Sequence, residues 1–199
     1  MLGRFKVHEE DAIRVDANSL RTTVSAVFEH MDVPSDDAAL AADVMVTADL
    51  RGVDSHGVSN MLRAYVAGYR SGHLNPRPDW RVIRETSATA NLDSDRGLGI
   101  IIAPKAMEIA IKKAADTGVG VVTAGNGRHL GMASYHAMMA LKHDMIGTCM
   151  TNAGPSVLPT FGSEKRLGTN PIAVAAPAGK EAPFVFDVAT SVVAGNKIG

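Results

Sequence analysis

Apolar positions recur at helical spacing through the first third of the chain. Leu20, Val24, Val27 and Phe28 fall on one side of a helix that Asp16 or Asn18 can cap. Pro34-Ser35-Asp36-Asp37 reads as a second helix start. Ser35 is placed to cap it, and two acids follow in the first turn, where the positive end of the helix dipole favours them. The Ala-rich run from Ala38 to Leu50 follows and stops near Gly52. A third helical pattern runs from about Ser59 to Tyr69 and ends before Gly72. Asn75-Pro76-Arg77-Pro78 then breaks the pattern. It marks the predicted boundary between an N-terminal helical region, residues 1–75, and an α/β region, residues 76–199.

Beyond the prolines the period changes. Trp80 to Glu85 and Thr89 to Asp93 read as short strands, and Ile100 to Ala115 as a long amphipathic helix. Val119 to Thr123 reads as a buried strand and Met132 to His143 as another helix. Strand patterns return at Met145–Thr151, Ile172–Ala176 and Phe184–Asp187. Strands alternating with helices predict an α/β fold whose sheet is at least partly parallel. The stretch from Gly154 to Gly168 carries Gly and Pro without a period, which marks either a functional loop or a missed element.

Composition narrows the function classes. Apolar residues make up 46% and charged residues 21%, an ordinary globular balance. The 20 basic and 21 acidic side chains leave a formal net charge of -1, so nothing advertises a nucleic-acid partner. The single cysteine, Cys149, allows no intramolecular disulfide and fits a reducing compartment. Its apolar run makes it a buried strand residue rather than a nucleophile. The mixed, charged start Met1 to Val15 is not a signal peptide. No apolar run approaches the ~20 residues of a spanning helix, so the expectation is a cytoplasmic protein. No metal is expected.

Two of the seven histidines have a suggestive context. His56 lies in Asp54-Ser55-His56-Gly57, just after a predicted helix. His129 lies in Gly125-Asn-Gly-Arg-His129-Leu-Gly131, after a strand and before a helix, where α/β proteins build sites. Considered alone, a histidine in such a context is more often a structural or solvated residue than a functional one. His8, His30, His73, His136 and His143 have no comparable context. The glycines at 125, 127 and 131 imitate a dinucleotide fingerprint, but the last is one place late. No acid ends a second strand about 20 positions on, because Asp144 closes a predicted helix instead. Asp187, at a strand end, can meet a ribose hydroxyl, orient a histidine or cap the next helix.

Taken in order, five segments resemble the malate/L-lactate dehydrogenase family that is distinct from the Rossmann lactate and malate dehydrogenases. They are Asp49 to Val58, Asp95-Arg-Gly-Leu-Gly99, Gly127-Arg-His-Leu-Gly131, Gly168-Thr-Asn-Pro-Ile-Ala173 and Phe186-Asp-Val-Ala-Thr-Ser191. The resemblance implies a non-Rossmann fold of the sulfolactate-dehydrogenase type: a helical region plus a mixed α/β sheet domain. It implies a homodimer, and NAD or NADP as cofactor. It implies His129 as general acid/base, with Ser55 and His56 lining the substrate and nicotinamide pocket. Asp187, Val188, Ala189 and Ala153 match cofactor contacts, and Asn170 and Pro171 border the same cleft. Many members carry a carboxylate-binding arginine where this chain has Asn60. Arg63 lies three residues further, on the same face if the segment is helical, so it or Arg51 is the expected substitute. The family's chains are considerably longer, so the resemblance also implies a C-terminally truncated member. This chain stops at Asn196-Lys-Ile-Gly199, with a sheet edge and an apolar face expected to stay open.

The reaction so implied oxidises a small malate- or lactate-like 2-hydroxy acid to its 2-oxo acid. Histidine suits the proton transfer because its pKa lies near neutrality. Three rival readings stand beside it: an NADPH-dependent reductase of cyclic imino acids such as piperideine- or pyrroline-2-carboxylate, a catalytically inactive truncated member, and a true Rossmann domain.

Overall fold

The computed structural model of the protein describes residues 9–191. His8 and the closing Asn196–Gly199 segment lie outside those residues. Three helices come first: α1 (Ala17–Glu29), α2 (Ser35–Leu50) and α3 (Val58–Arg70). Asp16 caps α1 as expected, accepting the Ser19 N–H at 2.8 Å. Ser35 does not cap α2. It is the first helical residue, preceded by Pro34, and no side chain closes that end. Proline fixes φ and brings no N–H, so it sets the entry without a capping bond.

Val24 and Phe28, one helical turn apart, turn inward from α1. The Phe28 ring meets Tyr69 edge-on at 6.3 Å and Tyr65 at 6.5 Å. Full burial of such a side chain contributes roughly 1.5–3 kcal/mol. Helix α2 is buried on more than one face, by Ala38, Ala41, Ala42, Val44, Met45, Val46 and Ala48. Its small side chains let α1, α3 and α4 all approach it. This explains the alanine content of the segment.

After Asn75–Pro78, β1 (Arg81–Glu85) and β2 (Thr89–Asp93) pair antiparallel, and β2 pairs parallel with β3 (Val121–Gly125). The crossover between β2 and β3 is α4 (Gly99–Thr117), whose Ile100 and Ile101 join the helical core. A second three-stranded sheet orders β4 (Gly147–Met150), β5 (Ile172–Ala176) and β6 (Phe184–Val188), all antiparallel. Helix α5 (Ala133–Met138) packs Ala133 and Ala137 against Ala173 and Ala175 of that sheet.

Several expectations change here. The fold is mixed α/β, but β2–β3 is its one parallel pair among the described residues, and the strands form two sheets. β3 is not buried: Val119 and Val121 are both exposed, because the strand pairs only with β2 and forms an edge. The predicted helix over Met132–His143 shrinks to the 6 residues of α5, followed by a 3₁₀ turn at Leu141–His143. Cys149 is half-buried rather than buried, in a strand whose residues alternate between α5 and the outer face. The aperiodic stretch is pinched by a bridge between Val157 and Leu167, so it is a finger rather than an open loop. No described helix is long and apolar enough to cross a membrane.

Candidate active site

The return from α2 into α3 builds one wall of the site. Asp49, in the last turn of α2, accepts the Val58 N–H at 2.9 Å and so caps α3 from a distance. A Cβ at position 57 would fall on the Asp49 carboxylate, so any larger residue there has to displace this cap. Burial lifts the Asp49 pKa above the usual carboxylate range, and the Val58 bond opposes that rise. Between them a 3₁₀ turn, Asp54–His56, presents Ser55 and His56. The Ser55 hydroxyl lies 2.8 Å from His56 Nδ1.

The loop after β3 builds the facing wall. Its backbone is tied to the turn before α4: Arg96 N–H donates to the Asn126 carbonyl at 2.9 Å, and Arg128 N–H to the Gly97 carbonyl at 3.2 Å. Gly99 opens α4 against this loop, where a Cβ would meet the backbone of Arg128, His129 and Leu130. His136 holds the far end, with Nε2 at 2.8 Å from the Leu130 carbonyl. A carbonyl only accepts, so Nε2 carries the proton. Full burial keeps this imidazole neutral and lowers its pKa to about 4.

The two walls bring His56 and His129 together. Their rings stack with centroids 5.4 Å apart and planes 11° off parallel. Tyr65, from α3, sets its hydroxyl 2.8 Å from His129 Nδ1, and the Gly131 N–H lies 3.3 Å from the same atom. His129 opens to the cleft on one side. The surrounding protein still desolvates it enough to lower its pKa to about 4, with the His56 ring adding to the effect.

Both rings line a cleft of about 1510 Å³ that runs between β3, α4 and β4. Pockets for ordinary small ligands span roughly 300–1,000 Å³, so this one has room for a dinucleotide beside a small acid. Ala153 and Pro171 line it, as do Thr148, Thr151, Asn152 and Thr169, whose hydroxyl and amide groups suit a polar cofactor. Asn170 acts through the backbone: its side-chain oxygen accepts the Ala153 N–H at 2.9 Å. Asp187 caps α5 by accepting the Ser134 N–H at 2.8 Å, a helix that precedes it in sequence rather than the next one. Val188 lies beside it at the exposed end of β6, followed by Ala189.

The cations are placed differently from expectation. Arg63 lies in a separate shallow hollow with Leu62, Val66 and Arg70. It stands two positions from Tyr65, hence on nearly the opposite side of α3. Asn60 spends its amide on the Asp54 carbonyl at 2.7 Å, and Arg51 is an exposed residue ending α2. Neither lines the cleft. Arg128 does, as the sole arginine or lysine among its described lining residues, with bonds to the His73 and Gly127 carbonyls at 3.2 and 3.0 Å. Sequence reasoning missed Arg128, Tyr65, Asp49 and His136. The glycine-rich loop is no dinucleotide fingerprint, because β3 and β4 belong to different sheets and form no βαβ unit.

Residues 15–199 match the family described as malate/L-lactate dehydrogenase. Malate dehydrogenase of Pyrococcus horikoshii is 50% identical over 190 residues, covering 96% of this chain and 52% of the relative. L-sulfolactate dehydrogenase of Methanocaldococcus jannaschii is 45% identical over 172 residues, covering 86% and 49%. The solved structure of the Pyrococcus enzyme superposes with a TM-score of 0.92 at 49% identity, over 97% of this chain and 55% of that one. The chain thus spans about half the length of the curated relatives it matches.

Proposed function

The chain belongs to the malate/L-lactate dehydrogenase family, and from that premise we propose that it carries the proton-handling half of a nicotinamide-dependent oxidoreductase. The substrate is a small 2-hydroxy acid, malate- or sulfolactate-like, interconverted with its 2-oxo acid. The stacked His56–His129 pair, at 5.4 Å in a roomy cleft, carries this reading. Two imidazoles in that relation suit a site that must hold and move one proton.

His129 faces the substrate oxygen: as the neutral imidazole it takes the hydroxyl proton in oxidation, and as the imidazolium it gives a proton in reduction. His56, fixed through Ser55, holds the substrate or the carboxamide from the opposite side. A bound nicotinamide supplies or accepts the hydride, as NAD or NADP. Ala153 and Pro171 line the cleft where it would lie; Asn170, held against Ala153, and the Asp187–Ala189 strand end are not among the described lining residues and are assigned to the cofactor by the family resemblance alone. Arg128 is the carboxylate partner in this reading, as the sole arginine or lysine among the described residues lining the cleft; its Nε and Nη1 hold the His73 and Gly127 carbonyls, which leaves Nη2 for the substrate. Residues 1–75 form the substrate side and 76–199 the cofactor side. The reading includes a cytoplasmic homodimer, as the family implies.

The test is turnover of malate, sulfolactate, pyruvate and a cyclic imine with each nicotinamide, for this chain alone and joined to the part of a relative that it does not match. Activity on the 2-hydroxy or 2-oxo acids is expected, with His129→Ala losing ~10²–10⁴-fold in kcat. Near-normal kcat in that variant removes His129 from the chemistry. A preference for the cyclic imine moves the enzyme to the reductase class.

A further inference from the structure

We propose that Tyr65 is a positioning residue which, with the Gly131 N–H, fixes neutral His129 in the tautomer that carries its proton on Nε2, so that the ring meets the substrate as a hydrogen-bond donor. This rests on the reading of His129 as the group facing the substrate oxygen. In a neutral imidazole one nitrogen donates and the other accepts. The Gly131 amide lies 3.3 Å from Nδ1, and an amide N–H can only donate, so Nδ1 is the acceptor. The Tyr65 hydroxyl, 2.8 Å from the same atom, can play either role and therefore follows the amide. That leaves the hydrogen on Nε2.

The surroundings keep the arrangement in place. Tyr65 is 3% exposed and wedged against Phe28, so its hydroxyl cannot turn to solvent. Burial raises its pKa well above the ordinary tyrosine value, so it stays a protonated donor. The titratable and charged groups around the ring are His56 from the 3₁₀ turn, Tyr65 from α3 and Arg128 from the ring's own loop. Burial opposes an imidazolium at position 129, and a positive charge on His56 acts in the same direction.

The substrate consequence is directional. A carbonyl oxygen only accepts, so an Nε2–H donor is matched to the 2-oxo acid. A 2-hydroxy acid that must give up its proton needs a lone pair on Nε2. That requires the other tautomer, in which Nδ1–H donates to the Tyr65 oxygen and the Gly131 N–H loses its partner. The ligand-free ring is therefore matched to binding the 2-oxo acid; completing its reduction takes one further proton from solvent, since a neutral imidazole that lost its Nε2 hydrogen would be left as an anion.

The experiment is histidine ¹⁵N NMR on the full 199-residue chain at neutral pH without ligand. The His129 signals are identified by their loss in His129→Gln. The expected spectrum shows Nδ1 at the position of an unprotonated nitrogen and Nε2 at that of a protonated one. Tyr65→Phe should draw the two shifts toward each other as the tautomers mix. A wild-type spectrum with the proton on Nδ1 overturns the proposal, and so do shifts left unchanged by Tyr65→Phe. If Tyr65→Phe fails to fold, the wild-type spectrum still decides the tautomer. No substrate is in the sample, so the result stands apart from turnover. A chain with the Nε2–H tautomer and no activity counts against the proposed function alone.

Discussion

Phe28 in α1 and Phe186 in β6 are the same side chain in opposite circumstances: the first is 0% exposed and the second 43%. Around Phe28, the helices α2 and α3 supply a closed shell, and α4 extends it. Around Phe186, strand alternation decides. Val185 turns toward α5 with Ala175, while Phe184, Phe186 and Val188 share the other face with Met150. Among the described residues no element covers that face. The molecule's stability therefore resides in the helical region and α4, and the second sheet is held chiefly by α5 on one side. The candidate site lies where the two regimes meet, with His56 and Tyr65 on the well-packed side.

Replacing the two phenylalanines tests this contrast most severely. Phe28→Ala is expected to destabilise by ~3–5 kcal/mol. Phe186→Ala is expected to stay within about 0.5 kcal/mol, as surface substitutions do. Urea midpoints measure both, and equal losses would erase the distinction between the regions.

Acid should separate the regions next. His129 and His136 both have folded pKa values of about 4, below the ordinary 6.5. The unfolded chain therefore takes up protons first as pH falls below 6.5. Stability is full above that value and declines toward pH 4, by on the order of 3 kcal/mol in all. Most comes from His136, since water in the cleft screens His129. In His136→Gln the unfolding midpoint should depend less on pH over that range.

Gly99→Ala gives a smaller, local effect. The added methyl group meets the backbone of Arg128–Leu130, for about 1–3 kcal/mol of overpacking. It should also shift the His129 ring signals while leaving Phe28 contacts intact, as NMR can follow. A variant with unmoved His129 signals would show that α4 does not position the loop.

Legibility in the sequence followed the same divide. The three N-terminal helices were readable because their apolar spacing faces a core that the chain itself provides. The Ser35 cap was misplaced by one residue because Pro34 sets that end without a side-chain bond. In the α/β region, a run such as Val119–Thr123 cannot distinguish a central strand from an edge, since both are apolar. His56 and His129 were visible as loop histidines within motifs. Tyr65 was not, because its partner lies 64 positions away and locally it reads as one more core residue. Arg63 reads from the sequence as a carboxylate partner because it lies three residues after Asn60, but its angle around α3 turns it from the cleft.

Ligand mapping of the histidine side chains tests the central claim most directly. The labelled chain is titrated with NADH or NADPH and with oxamate, an unreactive mimic of a 2-oxo acid. The account predicts that the His56 and His129 signals move together, while His30, His73 and His143 stay in place. Movement of those three with His56 and His129 unchanged would contradict it.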